Sequence, residues 1–298
     1  MSLEPRAVLV HRRSEYDELL MRHGTRAQAS FFLKTRGRTL DELDERHSLG
    51  LRARERVGAA IPADWRRAAV ERTDLNRFSF APGDVVVIVG QDGLVANVAK
   101  YLHGQPVIGI NPEPGRNAGV LVTAPVGAAA DLLASAAAGR ASVEHRTMVT
   151  ARTDDGQELH ALNEVFLGHR SHQSARYRIV LPDGRAERQS SSGVLAGTGT
   201  GATGWLQSAW QERHSALPLP RPTDDRLLWF AREAWGSVAT GTDLTEGLVD
   251  AGSVLRLRVE SDELVCFGDG IESDALMLTW GQEVQVLTAD RTLNLVTP

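Results

Sequence analysis

An α/β N-terminal domain with a parallel sheet, followed by a mostly β C-terminal domain, is the architecture this chain predicts. Three observations predict it. Up to about residue 140, β-branched runs alternate with helix-compatible segments, the pattern of strands joined by crossover helices. After Arg140 the chain turns to short strand-like runs divided by turn signals such as Asp154-Asp155-Gly156, Asp183-Gly184 and Asp269-Gly270. Its 298 residues, 42% hydrophobic and 24% charged, suffice for two cores or one large one. The expected division is 1–140 and 141–274, with residues from about 275 to 298 packing back on the first domain.

The elements follow in order. Arg6–Val10 is a short apolar run, read as a strand, and from Glu15 to Arg72 leucines and phenylalanines recur at helical spacing. A strand Val85–Val89 ends in Gly90-Gln91-Asp92-Gly93, and a helix Val95–Leu102 and a strand Pro106–Ile110 come next. A polar loop then runs from Asn111 to Gly119, followed by the apolar run Val120–Val122 and an alanine-rich helix Ala128–Ala138 closed by Gly139. In the second domain the strand-like runs are 143–150, 158–167, 177–181, 194–196, 255–259, 263–267 and 276–279. The run from Gln189 to Trp205, QSSSGVLAGTGTGATGW, has the composition of a linker. It ends in Gly-Trp before an apolar helical pattern, so it reads as a binding loop leading into a helix.

Composition removes several function classes. A net charge of −5 spread along the chain supplies no concentrated basic face for nucleic acid, and the basic stretch Trp65–Arg72 reads as a solvated helix face. The single cysteine, Cys266, excludes an internal disulfide and a paired-cysteine zinc site; it reads as core and fits a reducing, cytoplasmic setting. The N-terminal segment has no long apolar stretch, and no window approaches the roughly 18 apolar residues a membrane span needs. His169 and His172 sit three apart without further assembled ligands and read as surface residues, so no metal-ligating residues are expected. Asp269 in FGDGIESD reads as a hairpin turn.

Three constellations carry chemistry. Gly90-Gln91-Asp92-Gly93 ends a strand ahead of a helix, where glycines allow a tight turn and helix-terminal N–H groups favour phosphate. A carboxylate there suits phosphoryl transfer to a sugar hydroxyl, which needs a group to take or orient the hydroxyl proton. Asn163-Glu164 places an amide beside a carboxyl group, a pair able to hold the hydroxyls of a ribose or an adenine edge. Thr198-Gly-Thr-Gly-Ala-Thr-Gly-Trp205 offers backbone N–H groups and hydroxyls suited to a polyphosphate or nucleotide. Each has a bland alternative: a structural turn, a strand-start cap and a flexible loop.

Their order and spacing resemble the NAD kinase family, which has Gly-Gly-Asp-Gly-Thr after a strand, then Gly-x-Asn, then Asn-Glu or Asn-Asp, then a Thr/Gly/Ser-rich loop entering a helix. Here these are GQDGL at 90–94, GIN at 109–111, Asn163-Glu164 and the 198–205 loop. The loop Asn111-Pro-Glu-Pro-Gly-Arg116-Asn-Ala-Gly119, the Ser-Ser-Gly ahead of the Thr/Gly loop, and a helical insertion spanning about Phe31–Ala60 are similar to the mitochondrial-type branch. Nearly the whole chain is covered.

The resemblance implies a two-domain NAD kinase-like fold and transfer of the ATP γ-phosphoryl group to the adenosine 2'-hydroxyl of NAD, with Mg2+ or another divalent metal. It implies Asp92 as the base and Gly90, Gln91 and Gly93 beside the transferred phosphate, with Asn111 and Arg116 in the following loop. Asn163 and Glu164 would hold a ribose, Ser192 would replace an aspartate of many bacterial members, and Thr198, Thr200, Gly201, Thr203, Gly204 and Trp205 would line the NAD pocket. A homodimer or larger assembly through the β domain is also implied, and the resemblance places the region of the Asp269 turn near the pocket. The family's second glycine is Gln91 here and its threonine is Leu94. That departure gives the alternative of a dinucleotide-binding sensor impaired in catalysis; a lipid or sugar kinase of the same superfamily is a further one.

Overall fold

The computed structural model describes residues 5–116 and 119–298. Asn117 and Ala118 of the expected polar loop lie outside the described residues. The chain forms two compact units, 1–144 with 294–298, and 145–293.

The first unit begins with β1 (Arg6–His11), α1 (Glu15–His23), α2 (Arg26–Lys34) and α3 (Leu40–Ala60). The start of α1 is fixed by a capping box in which the Ser14 hydroxyl accepts the Asp17 N–H and the Asp17 carboxylate accepts the Ser14 N–H. Leu19, Ala29, Leu33, Leu40 and Leu43 give the three helices a small core of their own. Next come β2 (Arg66–Glu71), β3 (Asp84–Val89), α4 (Asp92–Ala99), β4 (Pro106–Asn111), β5 (Ala124–Pro125) and α5 (Ala129–Ala137).

Leading into the second unit, the strands are β6 (Val143–Thr153), β7 (Glu158–Ala161), β8 (Glu164–Gly168), β9 (Ala175–Val180), β10 (Ala186–Ser191) and β11 (Gly193–Gly197), with β6 beginning in the last two residues of the first unit's main segment. After them come α6 (Trp205–Glu212), β12 (Arg226–Arg232), β13 (Glu246–Asp250), β14 (Leu255–Val259), β15 (Glu263–Gly268), β16 (Ile271–Thr279) and β17 (Glu283–Val296).

The sheet of the first unit is parallel. β1 pairs with both β2 and β3, β3 with β4, and β4 with β5 and with Asn294-Leu295 of β17. All six residues of β3 are buried, as a strand covered on both faces requires. One face packs Val85, Val87, Val89, Ile108 and Ile110 against Ala53 and Val57 of α3 and Leu132 and Leu133 of α5. At the N-terminal end of the sheet the buried Asp84 takes a two-pronged ion pair from Arg6 at 2.8 and 2.6 Å. That leaves the C-terminal edge, where parallel sheets bind ligands, to the Gly90–Gly93 turn.

One sequence expectation fails here. The basic stretch read as a helix face is β2, an edge strand whose side chains are mostly open to solvent. An edge strand buries little, so Arg-Arg-Ala-Ala-Val-Glu carries no alternating apolar signal, and pairing with β1 decides its state.

The second unit is antiparallel and mostly β. One sheet runs β13-β12-β11-β8-β15-β16; another part has the order β10-β9-β14-β17, with β6 on β17 and β7 on β6. Alternate residues of both face one core that includes Val165, Leu167, Tyr177, Ile179, Val194, Trp229 and Leu257. The opposite side of the six-stranded sheet, with Phe166, Leu195, Leu228 and Phe230, is closed by Leu206 and Ala209 of α6. Cys266 is fully buried, which pushes its thiol up to about 12. Among the described residues no helix is long and apolar enough to cross a membrane.

Candidate functional site

In the first unit, the turn after β3 leads directly into α4. The helix starts at Asp92, three residues before the expected Val95, with Gln91 in the extended conformation as its N-cap. Neither Gly90 nor Gly93 is left-handed, so the expected glycine-dependent turn is not how this loop is made. A Cβ on Gly93 would meet nothing within 4 Å, which leaves open space beside the loop. Gln91 is exposed, whereas Leu94 is buried with its side chain against Gly90. The residue standing where the family has threonine therefore points into the protein.

Asp92 is the organised group. Its Oδ1 accepts the backbone N–H groups of Leu121 and Val122 at 2.8 and 3.0 Å, and its Oδ2 accepts that of Val120 at 2.9 Å. A carboxylate has about four acceptor positions, so one on Oδ2 is left. The local sequence makes this possible through two glycines. A Cβ on Gly109 of β4 would lie 2.1 Å from the Leu121 carbonyl, so only glycine lets the 119–122 segment cross the strand. Gly119 has φ +68°, and a Cβ on it would lie 2.7 Å from the Val122 carbonyl. Asn111, buried at the end of β4, accepts the Glu113 N–H at 2.9 Å and starts this loop. Arg116 is exposed on the loop.

The second unit builds a separate cluster. The expected strand 158–167 is broken into β7 and β8 at Leu162-Asn163. The Thr198 hydroxyl donates to the Leu162 carbonyl at 2.6 Å and accepts the Thr200 N–H at 3.1 Å, while the Thr198 N–H donates to the Asn163 carbonyl at 2.9 Å. Gly201 approaches that same carbonyl so closely that a Cβ would lie 2.4 Å from it. Thr198 thus ties the 198–205 loop to the Asn163 turn and has little left for a ligand. The Thr203 hydroxyl donates to the Thr200 carbonyl at 2.8 Å. The Thr200 hydroxyl is buried without a hydrogen-bond partner among the described residues, which leaves it for a ligand.

Trp205 opens α6, stacked on Phe166 with centroids 5.5 Å apart and the Arg232 guanidinium 5.3 Å over its ring. Gly204 is its N-cap, and Ser192 is exposed with its N–H on the Arg232 carbonyl at 2.9 Å. Sequence reasoning did not find Arg232, which sits in an ordinary strand pattern. Burial, and secondarily the charge of Asp269, push the Glu164 carboxyl up to about 8. Asp269 does lie in the β15–β16 turn, but its carboxylate also accepts the N–H groups of Leu162 and Asn163 at 2.9 and 2.7 Å. An acid followed by glycine looks the same in sequence with or without that second role. His169 bonds only Ser171 among the described side chains, and His172 is exposed.

The sequence is 28% identical over 150 residues to an NAD kinase of Clostridium tetani (strain Massachusetts / E88), a match covering 48% of this chain and 52% of the relative. The chain thus spans about half the length of the curated relative it matches. No protein-family profile matches. The fold is similar to the crystal structure of yeast NADH kinase complexed with NADH, with a TM-score of 0.59 at 16% identity over 100% of this chain and 84% of the other. That likeness shows the shared architecture, an α/β domain with a parallel sheet and a mostly antiparallel β domain. The sequence match is thus to a protein named NAD kinase, and the structural likeness adds the architecture alone.

Proposed function

We propose that the chain is an NAD kinase-like phosphotransferase that moves the γ-phosphoryl group of ATP to the adenosine 2'-hydroxyl of NAD, giving NADP and ADP. The observation that carries this reading is Asp92, oriented by three backbone N–H groups with one acceptor position left on Oδ2. The incoming 2'-hydroxyl donates to that oxygen, and its proton passes to Asp92 as the hydroxyl oxygen bonds to the γ-phosphorus and ADP leaves. The open space beside Gly93 and the N-terminal N–H groups of α4 would receive phosphate. In the second unit, Asn163 and Glu164 would hold a ribose, the Thr200 hydroxyl would bond the dinucleotide, and Trp205 would offer a face for a base.

Among the described residues no three His, Cys, Asp or Glu side chains converge as a metal cage. A Mg2+ would come in on the nucleotide phosphates and would neutralise their charge. A cytoplasmic homodimer or larger assembly belongs to the same reading, and sedimentation of the purified chain measures it.

Leu94 supports a second reading. With a buried apolar side chain where the family has a hydroxyl, the chain would bind the dinucleotide and sense it without phosphorylating it. Purified protein is incubated with ATP, magnesium and either NAD or NADH, and the phosphorylated product is measured for wild type, Asp92→Asn and Gln91→Gly. Active wild type with inactive Asp92→Asn supports the kinase. NAD binding without product in all three supports the sensor, and no NAD binding sinks both.

A further inference from the structure

Asp269 and Gly270 join β15 to β16 with φ values of +53° and +67°, the left-handed pair of a two-residue hairpin turn. A short polar residue suffices for such a turn, yet Asp269 is also engaged elsewhere. Its Oδ2 accepts the Leu162 N–H at 2.9 Å, its Oδ1 accepts the Asn163 N–H at 2.7 Å, and its own N–H donates to the Glu164 carbonyl at 3.1 Å. Three successive residues are therefore pinned by one residue more than a hundred positions away. Gly268 makes room for the approach, since a Cβ there would lie 2.7 Å from the Ala161 methyl. The Asn163 carbonyl is taken from the other side by Thr198.

We propose that Asp269 is a positioning residue of the dinucleotide pocket, which through the 162–164 backbone sets where Asn163 and Glu164 meet the vicinal hydroxyls of a ribose. This rests on the reading above that these two side chains face the nucleotide. Asp269 does not touch the ligand; it acts through the backbone and through its charge. Burial and that charge hold a proton on Glu164 up to about pH 8. A protonated Glu164 offers a ribose both a donor and an acceptor, where a carboxylate offers acceptors only.

The other titratable groups on strands pairing or packing with β8 are Glu263 and Cys266 on β15 and Glu158 and His160 on β7; β11 carries none, and the buried Cys266 thiol, pushed up to about 12, stays neutral over this range. His160 is engaged by Thr150 at 2.9 Å and Glu158 at 3.5 Å, which leaves Asp269 as the charge that acts on Glu164.

The test measures NAD affinity calorimetrically from pH 6 to 9, without ATP, for wild type, Asp269→Asn, Asp269→Gly and Glu164→Gln. Glycine suits φ +53°, so Asp269→Gly keeps the turn while removing the carboxylate. Wild-type affinity is expected to fall as pH rises through about 8, and both Asp269 variants to bind about tenfold or more weakly below that pH, a loss of ~1.4 kcal/mol or more. The fall is expected to begin at lower pH in Asp269→Asn and to vanish in Glu164→Gln. A folded Asp269 variant with wild-type affinity and an unshifted profile overturns the proposal, as does a wild type that binds no NAD. A wild type that binds NAD with this profile yet makes no NADP leaves the proposal standing and removes only the kinase reading.

Discussion

The two units each organise one acidic side chain, and they do so in opposite ways. Asp92 is ringed by backbone donors, supplied by a segment that crosses β4 where Gly109 permits it. Glu164 is buried beside a second acid and is driven toward its protonated form. The first acid has its oxygens oriented by N–H donors, whereas the second, buried next to a negative charge, holds its proton and can donate it. Residue type alone therefore does not assign a role; the neighbouring backbone does.

The sharpest way to break this contrast is Asp92→Asn. An asparagine turns one N–H2 group toward the 120–122 amides, removing the acceptor and adding donor–donor repulsion. NADP formation is expected to fall about 10²–10⁴-fold, read as kcat, with NAD binding retained. Gly109→Ala attacks the same half through its frame. Its methyl would meet the Leu121 carbonyl at 2.1 Å, so the 119–122 segment must shift. Destabilisation of about 1–3 kcal/mol in urea melts and a marked loss of kcat are expected together.

In the second unit, Thr198→Val keeps the side-chain shape but removes the hydroxyl that bridges Leu162 and Thr200. The Leu162 carbonyl and Thr200 N–H are left unpaired in a buried turn, at a cost of about 1–3 kcal/mol, with KM for NAD raised more than kcat is lowered. The gentlest test is Glu164→Gln. Because the folded pKa of Glu164 is raised from 4.5 to about 8, the folded state binds a proton that the unfolded state has released between those values. Wild-type stability therefore falls as pH rises from about 4.5 to about 8, and Glu164→Gln is expected to flatten that slope in urea melts. An unchanged slope would mean that Glu164 is not the titrating group.

Much of this was legible in the sequence where pattern and burial coincide. Val85–Val89 and Pro106–Ile110 are apolar throughout and are central parallel strands, and the change of texture after Arg140 marks the antiparallel region. Legibility fails where long-range pairing decides: β2 is a strand only because β1 lies beside it, and the 158–167 run splits because Thr198 and Asp269 claim its middle. Among the candidate residues, the motifs singled out Asp92, Asn163, Glu164 and the 198–205 loop. They did not distinguish the Thr198 hydroxyl, spent on the backbone, from the Thr200 hydroxyl, which is free of partners among the described residues. Nor did they show that Gly109, inside a motif read for its asparagine, is what lets the Asp92 donors arrive.

β17 carries a consequence for how the protein is made. Its residues up to 293 belong to the second unit, while Asn294 and Leu295 add a strand to the parallel sheet beside β4. The first unit is thus discontinuous, and the ribosome must finish all of 145–293 before its last strand exists. A nascent chain stalled anywhere in that stretch holds β4 with its pairing to 294–295 still unmade. Such an exposed strand invites wrong partners, so chaperone dependence during synthesis should track the time taken to translate the β domain.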